Sequence, residues 1–317
     1  MIFHPTLDFW RTLAVLVFEA GIGYPDRLHR IIPHPVTWAG LGLAALEQRW
    51  NRQEFPETRR RLLGVATILL VAGAAALTGF LIDHWAARNI WLALATILIA
   101  TTGLAQRSLY VHVAAVGAAL RAGDLPAARI AVGHIVGRDV EALDAQGVAA
   151  AALESLAESF CDGVAAPAFW LLIGGLGGLF AYKAINTADS LIGHREPRWR
   201  AFGWASARTD DFFNLVPARL AGCLLAFAGR GGWRVMLRDA KKHDSPNAGW
   251  PEAAMAGALK IRLGGAVAYD GAPHQRPWFG DGAKPTTADL NRGLRIYLGG
   301  CFLLWIALAA GGLAWRH

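Results

Sequence analysis

The sequence predicts an all-α, multi-pass helical integral membrane protein with cytoplasmic helical loops. Three observations predict it. Of 317 residues, 54% are hydrophobic and only 17% charged, whereas an ordinary soluble domain is about a quarter charged. Several long runs carry no ionisable side chain at all. The basic residues gather between particular runs rather than along one polar face. This much apolar surface excludes a disordered chain. Cys161, Cys223 and Cys301 form no C-x-x-C pair, which excludes a disulfide scaffold.

The candidate spans follow in chain order. Residues 9–22 make a weak first span, because Glu19 lies within the run. That carboxylate and the lack of a small-x-small site argue against a cleaved signal peptide. Leu62–Ile82 is 21 uncharged residues, about 31 Å of helix, the thickness of a bilayer's hydrocarbon core. Ile90–Ala105 is shorter, with Trp91 placed as an interfacial anchor. Val164–Tyr182 is uncharged, but Pro167 and the glycines of 174–178 interrupt it. It is therefore either a span or a broken or re-entrant helix, whose irregular backbone needs cover. Leu215–Ala228 is short and holds Arg219, either a snorkelling cation or one facing an anionic ligand. Ile296–Trp315 closes the set, and the whole chain, 1–317, is expected to form one membrane-embedded domain.

Orientation comes from Lys and Arg. Residues 24–61 carry seven and 229–295 carry eleven, against one in 83–89. The positive-inside bias places 24–61 and 229–295 in the cytoplasm, with 83–89 outside. If Val164–Tyr182 is re-entrant and Leu215–Ala228 only dips in, the preferred arrangement, 106–163 and 183–214 are cytoplasmic too; if both cross fully, 183–214 lies outside. The net charge of +7 thus serves orientation in the bilayer, not nucleic acid. Residues 264–289, rich in Gly, Pro and Asp, read as an irregular surface loop.

The polar residues exceed what a simple anchor needs. Gly137-Arg138-Asp139 opens a helix-like stretch that ends in ESLAESFCDG, with Gly163 as its stop. Glu154, Glu158 and Asp162 are spaced i, i+4, i+8, so one helix face would carry three carboxylates. That is either a solvated acidic face or a divalent-cation site, Mg²⁺ being a hard ion that takes carboxylate and phosphate oxygens. Lys183, Asn186, Asp189, Ser206 and Arg208 follow, with Asp210 and Asp211 about 100° apart on any helix. Arg208 offers a planar fork for phosphate or carboxylate. Lys241, Lys242 and His243 gather cations beside the turn containing Asn247, suited to anionic headgroups or to a polyphosphate. Pro251 and Glu252 predict a helix from there to about Leu263. No Walker A, H-E-x-x-H or G-x-S-x-G pattern occurs.

At these residues the chain resembles the membrane-bound adenosylcobinamide-phosphate synthases of cobalamin biosynthesis, from about residue 20 to 315. The resemblance rests on PHPVTW (33–38), RSLYVHV (107–113), IVGRD (135–139), ESLAE, CDG and AP (154–167), YKAINTADS (182–190), FGWASARTDD (202–211), PARL (217–220) and KKHDSPNAGWPEAAMAGAL (241–259). It departs at Gly23-Tyr24-Pro25, where the family commonly has Gly-Asp-Pro, the acid here being Asp26. It departs again at Asp244, where proline is common.

The resemblance implies ATP-dependent amide formation between adenosylcobyric acid and aminopropanol or its O-phosphate. It implies ATP and Mg²⁺ as cofactors, and a corrinoid and an aminoalcohol as substrates. The setting would be the inner membrane, with a cytoplasmic active face beside other cobalamin-assembly membrane enzymes. It assigns Glu154, Glu158, Asp189, Asp210 and Asp211 to catalysis, and Glu154, Glu158 and Asp162 to the metal. It assigns Arg138, Lys183, Asn186, Ser206, Arg208, Lys241, Lys242, His243 and Asn247 to substrate and ATP. The rival classes are a transporter and a lipid headgroup transferase. Against the first, the polar motifs crowd the loops; against the second, Pro167 stands where its motif needs arginine.

Overall fold

The computed structural model describes residues 7–23, 35–194, 196–269 and 271–315. The helices are α1 (Phe9–Ile22), α2 (Pro35–Trp50), α3 (Glu57–Ala86), α4 (Ile90–Thr101), α5 (Gln106–Arg121), α6 (Leu125–Gly133) and α7 (Ala145–Phe160). A π-helical turn, Cys161–Ala165, leads into α8 (Ala166–Ile192). Then come α9 (Trp204–Phe213), α10 (Leu215–Ala228), α11 (Trp233–Asp239) and α12 (Gly249–Leu259). Four short strands follow, β1 (Leu263–Gly264), β2 (Val267–Tyr269), β3 (Ala272–His274) and β4 (Trp278–Phe279), before α13 (Thr287–Ala314). The architecture is all-α and multi-pass. Among the described residues, four helical stretches are long and apolar enough to cross a membrane: Glu57–Ala86, Ile90–Arg121, Ala145–Ile192 and Thr287–Ala314. The successive helices α9 and α10 add a fifth if they form one broken span. Tyr24, Pro25, Asp26, Pro33 and His34 lie outside the described residues.

Two compact units form. The first takes the described residues up to Ala105, Ala166–Asn214 and those from Leu308 onward; the second takes Gln106–Ala165 and Leu215–Ala307.

In the first unit α3 lies along α8. Leu62, Leu69, Leu70 and Leu77 of α3 stay exposed, as a lipid-facing row requires. Gly79 permits the approach, because any Cβ there would overlap the backbone of Leu176 and Gly177. The glycine-rich stretch is a broken helix: at Gly175 the backbone takes φ 58° and ψ −150°. The amide freed by that break is satisfied, since Leu176 N–H donates to Asp83 Oδ2 at 2.7 Å while Arg11 Nη2 holds Asp83 Oδ1 at 2.6 Å. A bare amide there would cost several kcal/mol in lipid.

The second unit is built on small residues. Ala149, Ala151, Ala152 and Ala157 of α7 are fully buried, and Asp144 caps the helix by accepting from Gly147 N–H at 2.7 Å. Phe160 meets Tyr297 of α13 edge to face at 5.6 Å.

Several local expectations are corrected. The stretch opened by Arg138 is irregular, and its helix begins only at Ala145, where Asp144 can cap it. Gly163 does not stop that helix but sits inside the π turn. The polar 183–192 segment continues α8, whereas 106–163 is mostly helical, as expected of a helical loop. The helix after Pro251 starts at Gly249 and ends at Leu259, closed by Lys260 with φ 59°. The loop 264–289 contains two antiparallel strand pairs, β1 with β4 and β2 with β3.

Candidate functional site

Glu154 sits mid-helix on α7 and is 2% exposed. A carboxylate at such a position is costly unless it is paired and hydrogen-bonded. Three separate segments supply its partners. Arg138 Nη2, from the connection before α7, donates to Oε2. Arg276 Nη1, from between β3 and β4, donates to the same oxygen at 3.0 Å. The Gly264 amide of β1 donates to Oε1 at 2.8 Å.

Arg276 also reaches the first turn of α12. Its Nη2 lies 3.0 Å from Glu252 Oε2 and 3.3 Å from Oε1. The same nitrogen is 3.3 Å from His243 Nε2. The Ser245 amide donates to His243 Nδ1 at 2.8 Å. Nδ1 is therefore an acceptor, so the neutral ring carries its proton on Nε2, which faces Glu252 Oε1 at 3.5 Å. One planar guanidinium thus joins two glutamates and approaches a histidine, a task its fork geometry suits and an ammonium does not.

The electrostatics of this cluster are uneven. Glu252 is fully buried, and burial pushes its carboxyl well above the usual glutamate range. The charges of Glu154 and Glu158 push the same way; Arg276 and Arg138 oppose them. His243 is held down to about 4 by burial and by the Arg276 charge, so it is neutral at pH 7. Glu158, one helical turn beyond Glu154, is exposed.

A second buried carboxylate lies close by in sequence. Asp239 is fully buried, yet it accepts from Arg238 Nε and Nη2 at 2.7 Å each and from the Gly280 amide at 2.9 Å. Lys242 Nζ adds an ion pair at 2.6 Å. The Arg238 hydrogen bonds hold Asp239 far below the usual carboxylate range. Lys242 is therefore engaged by the protein, while Lys241 is exposed. Asn247, 6% exposed, accepts from Arg219 Nη1 at 2.6 Å.

Lys183, Asn186, Asp189, Ser206, Arg208, Asp210 and Asp211 belong to the first unit. On α8, Lys183 Nζ donates to Asn186 Oδ1 at 3.4 Å, and Asn186 Nδ2 donates to Asp210 Oδ1 of α9 at 3.3 Å. Asn214 Nδ2 donates to Asp210 Oδ2 at 3.0 Å, and Tyr182 O–H donates to Asn214 Oδ1 at 3.1 Å. Asp211 instead pairs with Arg208 at 3.3 Å, as the angular offset between neighbouring helical residues requires. Asp189 is half-buried near the end of α8. Ser206, expected to orient substrate, is fully buried and donates its hydroxyl to Gly203 O at 2.8 Å.

Glu154, Glu158 and Asp162 do not present one uniform face. Glu154 is buried against two arginines, Glu158 is exposed, and Asp162 is half-buried in the π turn, which breaks the i, i+4 register. Among the described residues, no group of three or more His, Cys, Asp or Glu side chains is arranged to hold a metal ion.

Sequence reasoning assigned no site role to Arg276 or Glu252. Glu252 was visible only as a helix-start acid. Arg276 was hidden in the stretch taken for a loop. A signal was present: Gly264, Gly265 and Gly280 take φ of 92°, 83° and 80°, and such glycines mark built turns rather than slack chain.

Comparison with known proteins bears on these motifs. The model of the family described as CobD/Cbib protein matches residues 12–297. A cobalamin biosynthesis protein CobD of Rhodobacter capsulatus is 50% identical over 296 residues, covering 92% of this chain and 93% of that protein. Proteins of the same name from a Sinorhizobium species and from Geobacter metallireducens are each 44% identical, covering 92% and 89% of this chain and 96% and 90% of theirs. No solved structure matches the chain.

Proposed function

We propose a function from one premise, that the chain belongs to the CobD/Cbib protein family. The protein acts in cobalamin biosynthesis as an ATP-dependent ligase. It joins a carboxylate of adenosylcobyric acid to the amine of aminopropanol or of its O-phosphate. It works in the inner membrane with the 238–283 segment on the cytoplasmic side, the side the basic residues favour.

The observation that carries this reading is convergence. Arg138 from IVGRD, Glu154 from ESLAE, and His243 and Glu252 from KKHDSPNAGWPEAA are far apart in sequence, yet they form one interior ion network through Arg276. A structural anchor needs no such network.

Amide formation has two demands. The carboxylate, a poor acyl donor at neutral pH, must be activated with ATP as co-substrate, and the amine must attack without its proton. Glu158, exposed beside Glu252, is the carboxylate that an incoming ammonium can reach. Glu158 accepts the proton that the ammonium loses, while Glu252 behind it, its proton affinity raised by burial, keeps its own proton and serves as the acid of the pair. His243, uncharged, sits against Glu252 without adding a competing cation. Lys241, exposed on the same segment, is the cation available to a polyphosphate.

Mg²⁺ would arrive with the nucleotide phosphates. Glu154, Glu158 and Asp162 do not fit as an independent metal cage, since two guanidiniums already occupy Glu154. The test is ligation by purified protein in detergent, with adenosylcobyric acid, Mg-ATP and either amine, followed by mass spectrometry of the corrinoid. An amide product with one ADP per bond supports the reading. ATP-independent passage of corrinoid across vesicles, without product, would replace it with transport.

A further inference from the structure

Arg219 lies on α10, whose sequence LVPARLAGCLLAFA is otherwise free of charge. A guanidinium in an apolar helix is expensive, so it is placed there for a partner or a ligand. In the second unit Arg138 and Arg276 hold Glu154, and Arg238 holds Asp239. Arg219 has none within ion-pairing distance among the described residues.

What it has is a clamp. Nη1 donates to Leu215 O at 2.9 Å and to Asn247 Oδ1 at 2.6 Å. The guanidinium carbon stands 4.7 Å from the centre of the Trp250 ring. Asn247 is itself fixed, its amide donating to Ser245 Oγ at 3.2 Å. Both Nη1 hydrogens are spent, and the plane is set by an aromatic face. The opposite edge, Nε and Nη2, makes no protein hydrogen bond and is not buried. That edge takes a carboxylate or a phosphate through two parallel bonds. Fixing the side chain beforehand removes most of the ordering cost of binding.

We propose that Arg219, held between Asn247 and Trp250, is the receptor for a carboxylate or phosphate group of a substrate. Trp250 and Glu252 share the first turns of α12, so Arg219 on α10 holds the oxyanion beside the element that bears the buried Glu252 carboxyl. The ligand's identity as a ligase substrate rests on the function proposed above; the binding itself does not.

Thermal unfolding in detergent tests it without turnover. The probes are inorganic phosphate, ATP, adenosylcobyric acid and an anionic phospholipid, each added to wild type, Arg219→Lys and Arg219→Gln. At least one soluble oxyanion stabilises the wild type. Arg219→Gln weakens its binding by about tenfold or more, the effect of losing a charge-assisted contact. Arg219→Lys weakens it less, because it keeps the charge and loses the fork. The probe affected names the source of the oxyanion. If Arg219→Gln does not fold, Asn247→Ala, which releases the clamp, weakens the same probe. An undiminished response in the variants, a wild type that answers no soluble probe, or an effect confined to the phospholipid overturns the proposal. A ligase-inactive protein that still shows the Arg219-dependent response would sink the ligase reading and leave this one standing.

Discussion

Asp239 and Glu252 are both fully buried, and both lie in the segment between α10 and β1. Their proton affinities nevertheless move in opposite directions. Asp239 receives two arginine nitrogens, a lysine and a backbone amide, and becomes a permanent anion. Glu252 loses its hydration to burial, shares one guanidinium with Glu154 and is repelled by the Glu154 and Glu158 charges, so its proton is held tightly. Burial prevails at Glu252, whereas at Asp239 the donors that the carboxylate has to itself override it. The Asp239 site is built to stay fixed, and the Glu252 site is built to exchange a proton.

The largest expected break in this contrast is Glu252→Gln. It should lower ligation by at least about 100-fold, the scale of a lost acid–base group. Thermal stability should hold or rise at neutral pH, since an uncharged isostere replaces a group that burial disfavours. Full activity in a folded Glu252→Gln protein would remove Glu252 from the chemistry.

Arg276→Ala comes next. It leaves Glu154 and Glu252 facing each other with Arg138 alone, and breaking a buried pair in this way costs about 3–5 kcal/mol. Denaturation in detergent would show it, and Arg276→Lys should recover only part, because a point charge cannot span both carboxylates. A loss below about 1 kcal/mol, the worth of an exposed pair, would mean the network is open to water.

The two acids also shape the pH dependence of stability with opposite signs. Asp239 is depressed, so its contribution is present above the ordinary value of about 3.9 and is lost as pH falls toward its own pKa. Glu252 is raised, so its contribution is full below about 4.3 and is lost as pH rises through its own pKa. His243, held at about 4, adds a loss on acidification from about 6.5 downward. Melting curves against pH should therefore lose their alkaline decline in Glu252→Gln and soften only on the acid side in Asp239→Asn. Superimposable profiles for the two variants and wild type would contradict the contrast.

The smallest effect sharpens it by omission. Asp144→Ala removes the cap of the helix that carries Glu154, which should cost about 1 kcal/mol and leave the pH profile unshifted.

The membrane elements were legible because Leu62–Ile82 and Ile296–Trp315 are uncharged over a bilayer's width, a property of the sequence itself. The segment 106–163 was legible as helical but not as buried. The burial of Ala149, Ala151 and Ala152 depends on their meeting other helices, which a hydropathy scan cannot distinguish from a polar loop. At the site, Glu154 stood out as an acid beside an apolar run. Its true partners did not, because Arg276 is 122 residues away and arrives on a turn set by positive-φ glycines. Asp162 was misplaced on the Glu154 face because nothing in CDGVA announces a π turn.

The most direct measurement is infrared difference spectroscopy of the carboxyl stretch at about pH 6, well above the ordinary glutamate value of about 4.3. The account predicts a protonated-carboxyl band in wild type that disappears in Glu252→Gln and persists in Asp239→Asn. A wild-type spectrum with no such band, or a band that Glu252→Gln leaves in place, would contradict it.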